Sequence, residues 1–182
     1  ITNVVNSYIS SNDVVVCSAT LNGVLNNCTP QFAYSVASQG EGSLIGITPY
    51  NGFMYIASNV AAMNSGIVYC AVNSDGTLGV CNPASNLNTD FFGIAINNGY
   101  FFGVSKFTGN VYSCVVNANG ALSACSLLGN SYSISAIAFS NGNTYVASSD
   151  AISYGNVSVC AVNAGTLGNS CFQSGTSFPN NS

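Results

Sequence analysis

The chain has 182 residues, of which only 3% are charged: five Asp or Glu, the single Lys106, and no Arg or His. Phosphate backbones are held by Lys and Arg, and Ser-His-Asp, Cys-His and His-based zinc sites need an imidazole, so nucleic-acid binding and those chemistries are excluded. A hydrophobic share of 48% also excludes a disordered chain, which leaves a folded, nearly neutral protein expected to work without a cofactor and not as an enzyme.

The chain begins at Ile1 instead of Met, which is the expectation for a trimmed product whose export signal has been removed. A membrane helix needs about 20 apolar residues. Among the most apolar stretches are Phe91 to Ile96 and Ile134 to Phe139, and Gly and Asn interrupt every such run. No membrane-spanning segment is predicted.

Four repeats follow, over about 1–28, 45–81, 92–125 and 135–171. In the first, Tyr8-Ile9-Ser10-Ser11-Asn12 matches Tyr55-Ile56-Ala57-Ser58-Asn59 of the second, so the chain starts inside the first strand of a unit. The second runs from Gly46-Ile47 through Asn51-Gly52 to Phe53-Met54-Tyr55-Ile56-Ala57-Ser58, and then from Gly66-Ile67-Val68-Tyr69 into Cys70 to Cys81. The third has Gly93 to Ile96, Asn98-Gly99, Tyr100 to Ser105 and Gly109 to Tyr112, ending in Cys114 to Cys125. The fourth has Ala136 to Phe139, Asn141-Gly142, Thr144 to Ser148 and Gly155 to Val159, ending in Cys160 to Cys171. Short β-branched and aromatic runs around Asn-Gly are hairpin signals, because both turn residues tolerate the positive φ of a type I′ turn. Each unit is therefore read as four antiparallel strands, a to d, and no segment has helical periodicity.

Eight cysteines form four pairs, Cys17/Cys28, Cys70/Cys81, Cys114/Cys125 and Cys160/Cys171, each 11 positions apart. A spacing repeated four times predicts four local disulfides across the c–d hairpins, and these place the chain in an oxidising compartment: secreted, cell-surface or periplasmic. Two turn geometries remain open. A two-residue turn centred on Asn22-Gly23, Asp75-Gly76 or Asn119-Gly120 puts each cysteine opposite its partner. A three-residue turn with a glycine bulge would pair Val72 with Leu78, offset the cysteines by one and require a second bulge. In the fourth copy the turn loses one residue and one is regained before Cys171.

The first cysteines recur every 44 to 53 positions, a period typical of propeller blades. The pattern Gly-Ile-Ala-x-x-Asn-Gly-x-x-Tyr-Val-x-Ser, followed by Gly-Asn-x-Val-x-x-Cys-x-Val-Asn-x-x-Gly-x-Leu-x-x-Cys, resembles the cysteine-containing repeats of secreted bacterial β-propellers of the YVTN and lactonase-like type. The resemblance covers about Ile1 to Cys171. It implies an all-β, four-bladed propeller-like fold of four-stranded meanders, with a β-sandwich of disulfide-pinned hairpins as the alternative. Enzymes of that group use charged and His-rich channel sites, and nothing in this chain matches them. The tail, 172–182, is expected to complete the first unit or a neighbour's, so Ile1, Val4, Val5, Tyr8, Phe172 and Phe178 are the candidate assembly termini.

Other candidates are few. Asp75 suits a hairpin turn, Asp90 with Asp150 and backbone carbonyls would be the components of a calcium site, and Lys106 reads as a solvated charge. No metal is assigned. Tyr100, Phe101 and Phe102 read as filling between blades and not as a sugar platform. Asn27, Asn156 and Asn180 sit in Asn-x-Ser/Thr sequences of the kind glycosylation uses, which a chain so rich in Asn and Ser contains by chance; Asn156 is the best placed.

Function is expected to follow from architecture. Soluble monomers carry a surface about a quarter to a third charged, and edge strands use Lys to block pairing; this chain lacks both safeguards. The expectation is an extracellular, self-assembling subunit of a fibre, sheath or surface layer, a homo-oligomer or homopolymer joined by strand complementation. The alternative is a secreted lectin-like propeller that binds glycans.

Overall fold

A computed structural model describes residues 14–31, 44–58, 66–87, 89–105, 108–130, 134–140, 143–148, 156–163 and 166–174. They form fourteen strands in four antiparallel sheets. Sheet 1 is β1 (Val14–Ala19) with β2 (Leu25–Gln31). Sheet 2 is β3 (Leu44–Tyr50), β4 (Phe53–Ser58), β5 (Ile67–Val72) and β6 (Leu78–Pro83). Sheet 3 is β7 (Phe91–Asn97), β8 (Tyr100–Ser105), β9 (Asn110–Val116) and β10 (Leu122–Asn130). Sheet 4 is β11 (Ile134–Ser140), β12 (Asn143–Ser148), β13 (Asn156–Asn163) and β14 (Thr166–Ser174). Sheets 2, 3 and 4 are meanders in sequence order. The a and b strands expected for the first unit fall at 1–13, outside the described residues. No helix among the described residues is long and apolar enough to cross a membrane.

The first strands of the meanders are neighbours, with β7 between β3 and β11, so the sheets stack face to face in series about a shared inner side. This is the propeller-like arrangement. A two-sheet sandwich would cover one face of each sheet, whereas both faces of sheets 2 and 3 are buried. Side chains alternate across a strand, so each sheet has a leading face towards the sheet before it and a trailing face towards the sheet after. Along β8, Phe101 points to sheet 2 and Phe102 to sheet 4, and neither is exposed.

Three apolar layers result. Val14 and Val16 of sheet 1 pack with Met54, Ile56 and Val68 of sheet 2. Tyr55, Ala57 and Ile67 of sheet 2 pack with Ile94, Phe101 and Leu122 of sheet 3. Phe102, Val104 and Val111 of sheet 3 pack with Ile137 and Val146 of sheet 4. Full burial of one such side chain contributes about 1.5–3 kcal/mol, so the layers, more than any single ladder, hold the sheets together.

Two of the a–b turns are as expected, and the third, Asn141-Gly142, lies outside the described residues. Asn51 and Gly52 have φ of 47° and 80°, and Asn98 and Gly99 have 49° and 81°, the type I′ signature. The flanking pairs are Tyr50 with Phe53 and Asn97 with Tyr100.

The c–d hairpins resolve the open alternatives in favour of the longer turn. Gly76 N–H donates to Asn73 O at 2.9 Å and Asn73 N–H to Thr77 O at 2.9 Å; Asn117 to Ala121 repeats this, as does Thr20 to Val24. Only the glycine of each of these turns has positive φ, so the loop is a type I turn closed by a glycine bulge. Val72 faces Leu78. The cysteines are nevertheless opposite one another, because a second bulge intervenes: two steps along β5, from Cys70 to Val72, match three along β6, from Cys81 to Leu78. Asn27 and Ala124, with φ of 50° and 46°, lie in the corresponding bulges of the first and third hairpins. In the fourth, Asn163 faces Thr166 across a two-residue loop, and the bulge takes two extra residues instead of one.

Candidate functional site

Three of the expected disulfides are formed: Cys17–Cys28, Cys70–Cys81 and Cys114–Cys125, with Cα atoms 4.0 to 4.1 Å apart. Cys160 and Cys171 are Cα partners across the β13–β14 ladder. Each bridge closes a short loop at the outer end of a sheet, and such a loop contributes about 3 kcal/mol when bridged.

The other sequence candidates do not converge. Asp75 works locally: its Oδ1 accepts from Thr77 Oγ1–H at 2.6 Å and from Thr77 N–H at 3.0 Å. Those two bonds hold its carboxyl below the usual carboxylate range. Asp90 is buried, and one of its carboxylate oxygens has no hydrogen-bond partner among the described residues. Its proposed companion Asp150 lies outside the described residues, as do Lys106, Asn180, Ile1, Val4, Val5, Tyr8 and Phe178. No group of three His, Cys, Asp or Glu that could hold a metal occurs among the described residues. Asn27 is exposed, and Asn156 opens β13 opposite Ser148. Phe172 is a strand residue of sheet 4, opposite Val159. Residues 172 to 174 therefore extend the fourth sheet, and the segment expected to complete another unit shortens accordingly.

What the structure does assemble is a surface. The third residue after each Asn-Gly turn is Tyr55 in β4, Phe102 in β8 and Tyr145 in β12, all on the trailing face. Tyr55 and Phe102 are sealed, the latter against Phe139 with ring centroids 4.9 Å apart. Tyr55 also donates its hydroxyl to Gly120 O at 2.8 Å, in the c–d turn of the next sheet. Leu122 N–H donates to Ala84 O at 2.7 Å across the same interface. Burial, with Tyr69 and Tyr50 pushing the same way, raises the Tyr55 hydroxyl to about 12.

The trailing face of sheet 4 carries the same column, with no sheet packed over it among the described residues. Ala136, Ala138, Tyr145 and Ala147 lie on it; Ala136 and Ala138 are exposed, and Tyr145 and Ala147 are half-buried. With Ile137 they line an apolar hollow of about 190 Å³. Its counterparts one sheet earlier, Ala95, Phe102 and Val104, are buried. At the other end of the series, the first c–d turn exposes Leu21 and Val24, at 111% and 50%. Of these, Ala136, Ile137, Ala138, Tyr145, Ala147, Leu21 and Val24 were not singled out in the sequence as functional residues. Aligning the four copies column by column is the signal that finds them.

No family model and no curated protein sequence matches the chain. Among solved structures it is similar to a β-propeller chain of the nidogen/laminin complex, with a TM-score of 0.69 and 10% identity over 94% of this chain. The match covers 62% of that chain, so this one spans about three fifths of its length. The likeness shows the fold: an all-β, propeller-like stack of antiparallel meanders.

Proposed function

We propose that the chain is a secreted structural β-propeller unit, without enzymatic activity, that joins copies of itself into an extracellular fibre, sheath or surface layer. One observation carries this reading: the exposed trailing face of sheet 4 is built like the faces that are sealed between sheets. Apolar surface of that kind, unguarded by charge, marks an interaction site. Composition supports it, since 3% charged residues and a net charge of −4 leave little like-charge repulsion to keep molecules apart. The outer strands supply further adhesive surface, with Val80 at 79% exposure and Leu127 at 52% on edges that carry no lysine. Local cystines fit an oxidising extracellular setting, as does the resemblance to secreted YVTN-type repeats. The similar solved chain comes from a complex of two proteins, nidogen and laminin, and a propeller used for assembly is the role assigned here.

Electron microscopy and sedimentation of the full chain over a range of concentrations test the reading. Filaments, sheets or concentration-dependent oligomers are expected. A monodisperse monomer at every concentration overturns it, and glycan-array binding by that monomer would establish the lectin-like alternative.

A further inference from the structure

Resting on the self-assembly reading above, we infer that the joint is made head to tail, with the trailing face of sheet 4 receiving the first c–d turn of a second copy and Tyr145 donating to Gly23 O. The internal interface between sheets 2 and 3 is the template. There the Tyr55 hydroxyl reaches Gly120 O at 2.8 Å, and Gly120 is packed so closely that an added Cβ would lie 2.5 Å from the Tyr69 ring and 2.9 Å from that of Phe53. Gly23 closes the same turn in sheet 1, with φ of 81° against 89° for Gly120 and the same pair of turn hydrogen bonds. Around Gly23, however, nothing among the described residues lies within 4 Å of where a Cβ would sit. The acceptor end is therefore formed and vacant.

The donor end is equally prepared. Tyr145 stands in the Tyr55 column, flanked by Ala138 and Ala147, over a hollow of about 190 Å³. Leu21 and Val24, which flank Gly23 in its turn, are exposed apolar side chains suited to enter it. Among the described residues, each interface between sheets pairs the trailing face of one with the leading side of the next, and the trailing face of sheet 4 and the first c–d turn are the two ends of that series. Gly23, Leu21 and Ala138 are all exposed, so neither end covers the other among the described residues. A second copy supplies both at once. Because the two patches differ, the contact is heterologous, and it propagates into a filament or closes into a ring.

The test uses three full-length variants with their cystines intact. Ala138→Arg blocks the receiving face and Leu21→Arg blocks the inserted turn. Both side chains are exposed, and unchanged near-ultraviolet circular dichroism confirms the fold. Each variant alone should be monomeric. An equimolar mixture should give a species of two chains and stop there, since each variant keeps the patch the other lacks. Tyr145→Phe, the mildest change, should weaken association about tenfold, the effect of one lost hydrogen bond. Wild-type polymers with variants that still polymerise, a mixture that stays monomeric, or a Tyr145→Phe chain that associates as wild type would each overturn this joint while self-assembly stands. A monomeric wild type would overturn the self-assembly reading itself.

Discussion

The interface between sheets 2 and 3 and the trailing face of sheet 4 are made from the same columns of the same repeat, yet one is a core and the other a surface. In the first, Tyr55, Phe91 and Phe101 are wholly buried, and a buried hydroxyl finds a carbonyl across the gap. In the second, Ala138 is exposed and Tyr145 half-buried, with no sheet over them among the described residues. The difference does not lie in residue type. A repeat stack buries a face only when another unit follows, so position in the series decides whether one pattern becomes interior or contact surface.

The contrast is sharpest at the shared aromatic column. Phe102→Ala should cost about 3–5 kcal/mol in the isolated chain, and Tyr145→Ala under about 1 kcal/mol, as read by denaturant unfolding at low protein concentration. Equal losses would mean that the fourth face is covered in solution. The glycine pair separates the two regions next. At Gly120, alanine adds strain at positive φ to a collision with two rings, about 3 kcal/mol in all. At Gly23 only the backbone strain applies, about 1 kcal/mol, and comparing the two melting temperatures checks the difference.

Alkaline titration reads the sealed interface through Tyr55. The fold favours the neutral Tyr55 hydroxyl, so stability is intact below pH 10 and falls as pH rises from 10 to about 12, by about 2–3 kcal/mol. Tyr55→Phe should flatten that alkaline decline. The smallest effect concerns Thr144, on the leading face of sheet 4, where sheets 2 and 3 carry Met54 and Phe101. Its hydroxyl is buried with no partner among the described residues. Thr144→Val should raise stability by about 1 kcal/mol, measured by thermal unfolding.

The sequence displayed most of the fold because the determinants are local. Asn51-Gly52 and Asn98-Gly99 dictate their turns, and a fixed cysteine spacing announces which residues lie opposite. The second bulge was less legible: it needs positive φ at Ala124, a conformation alanine disfavours, and only the closed disulfide makes it worth adopting. The trailing face of sheet 4 could not be read from local pattern. Ala95 and Ala138 occupy one column, and what buries the first while leaving the second open is the presence of the next sheet. Asp90 shows a similar limit. Its position before β7 was evident, but its burial follows from packing between sheets.

The paired bulges of the c–d hairpins separate two jobs that most hairpins combine. Whatever length the tip gains or loses is absorbed between the tip and the paired cysteine positions, as the fourth copy shows with a shorter loop and a larger bulge. The sulfur bridge therefore acts as a fixed clasp at the rim, and the tip beyond it is free to change shape. Contact chemistry at the end of the stack can be rewritten residue by residue while the interior stays as it is.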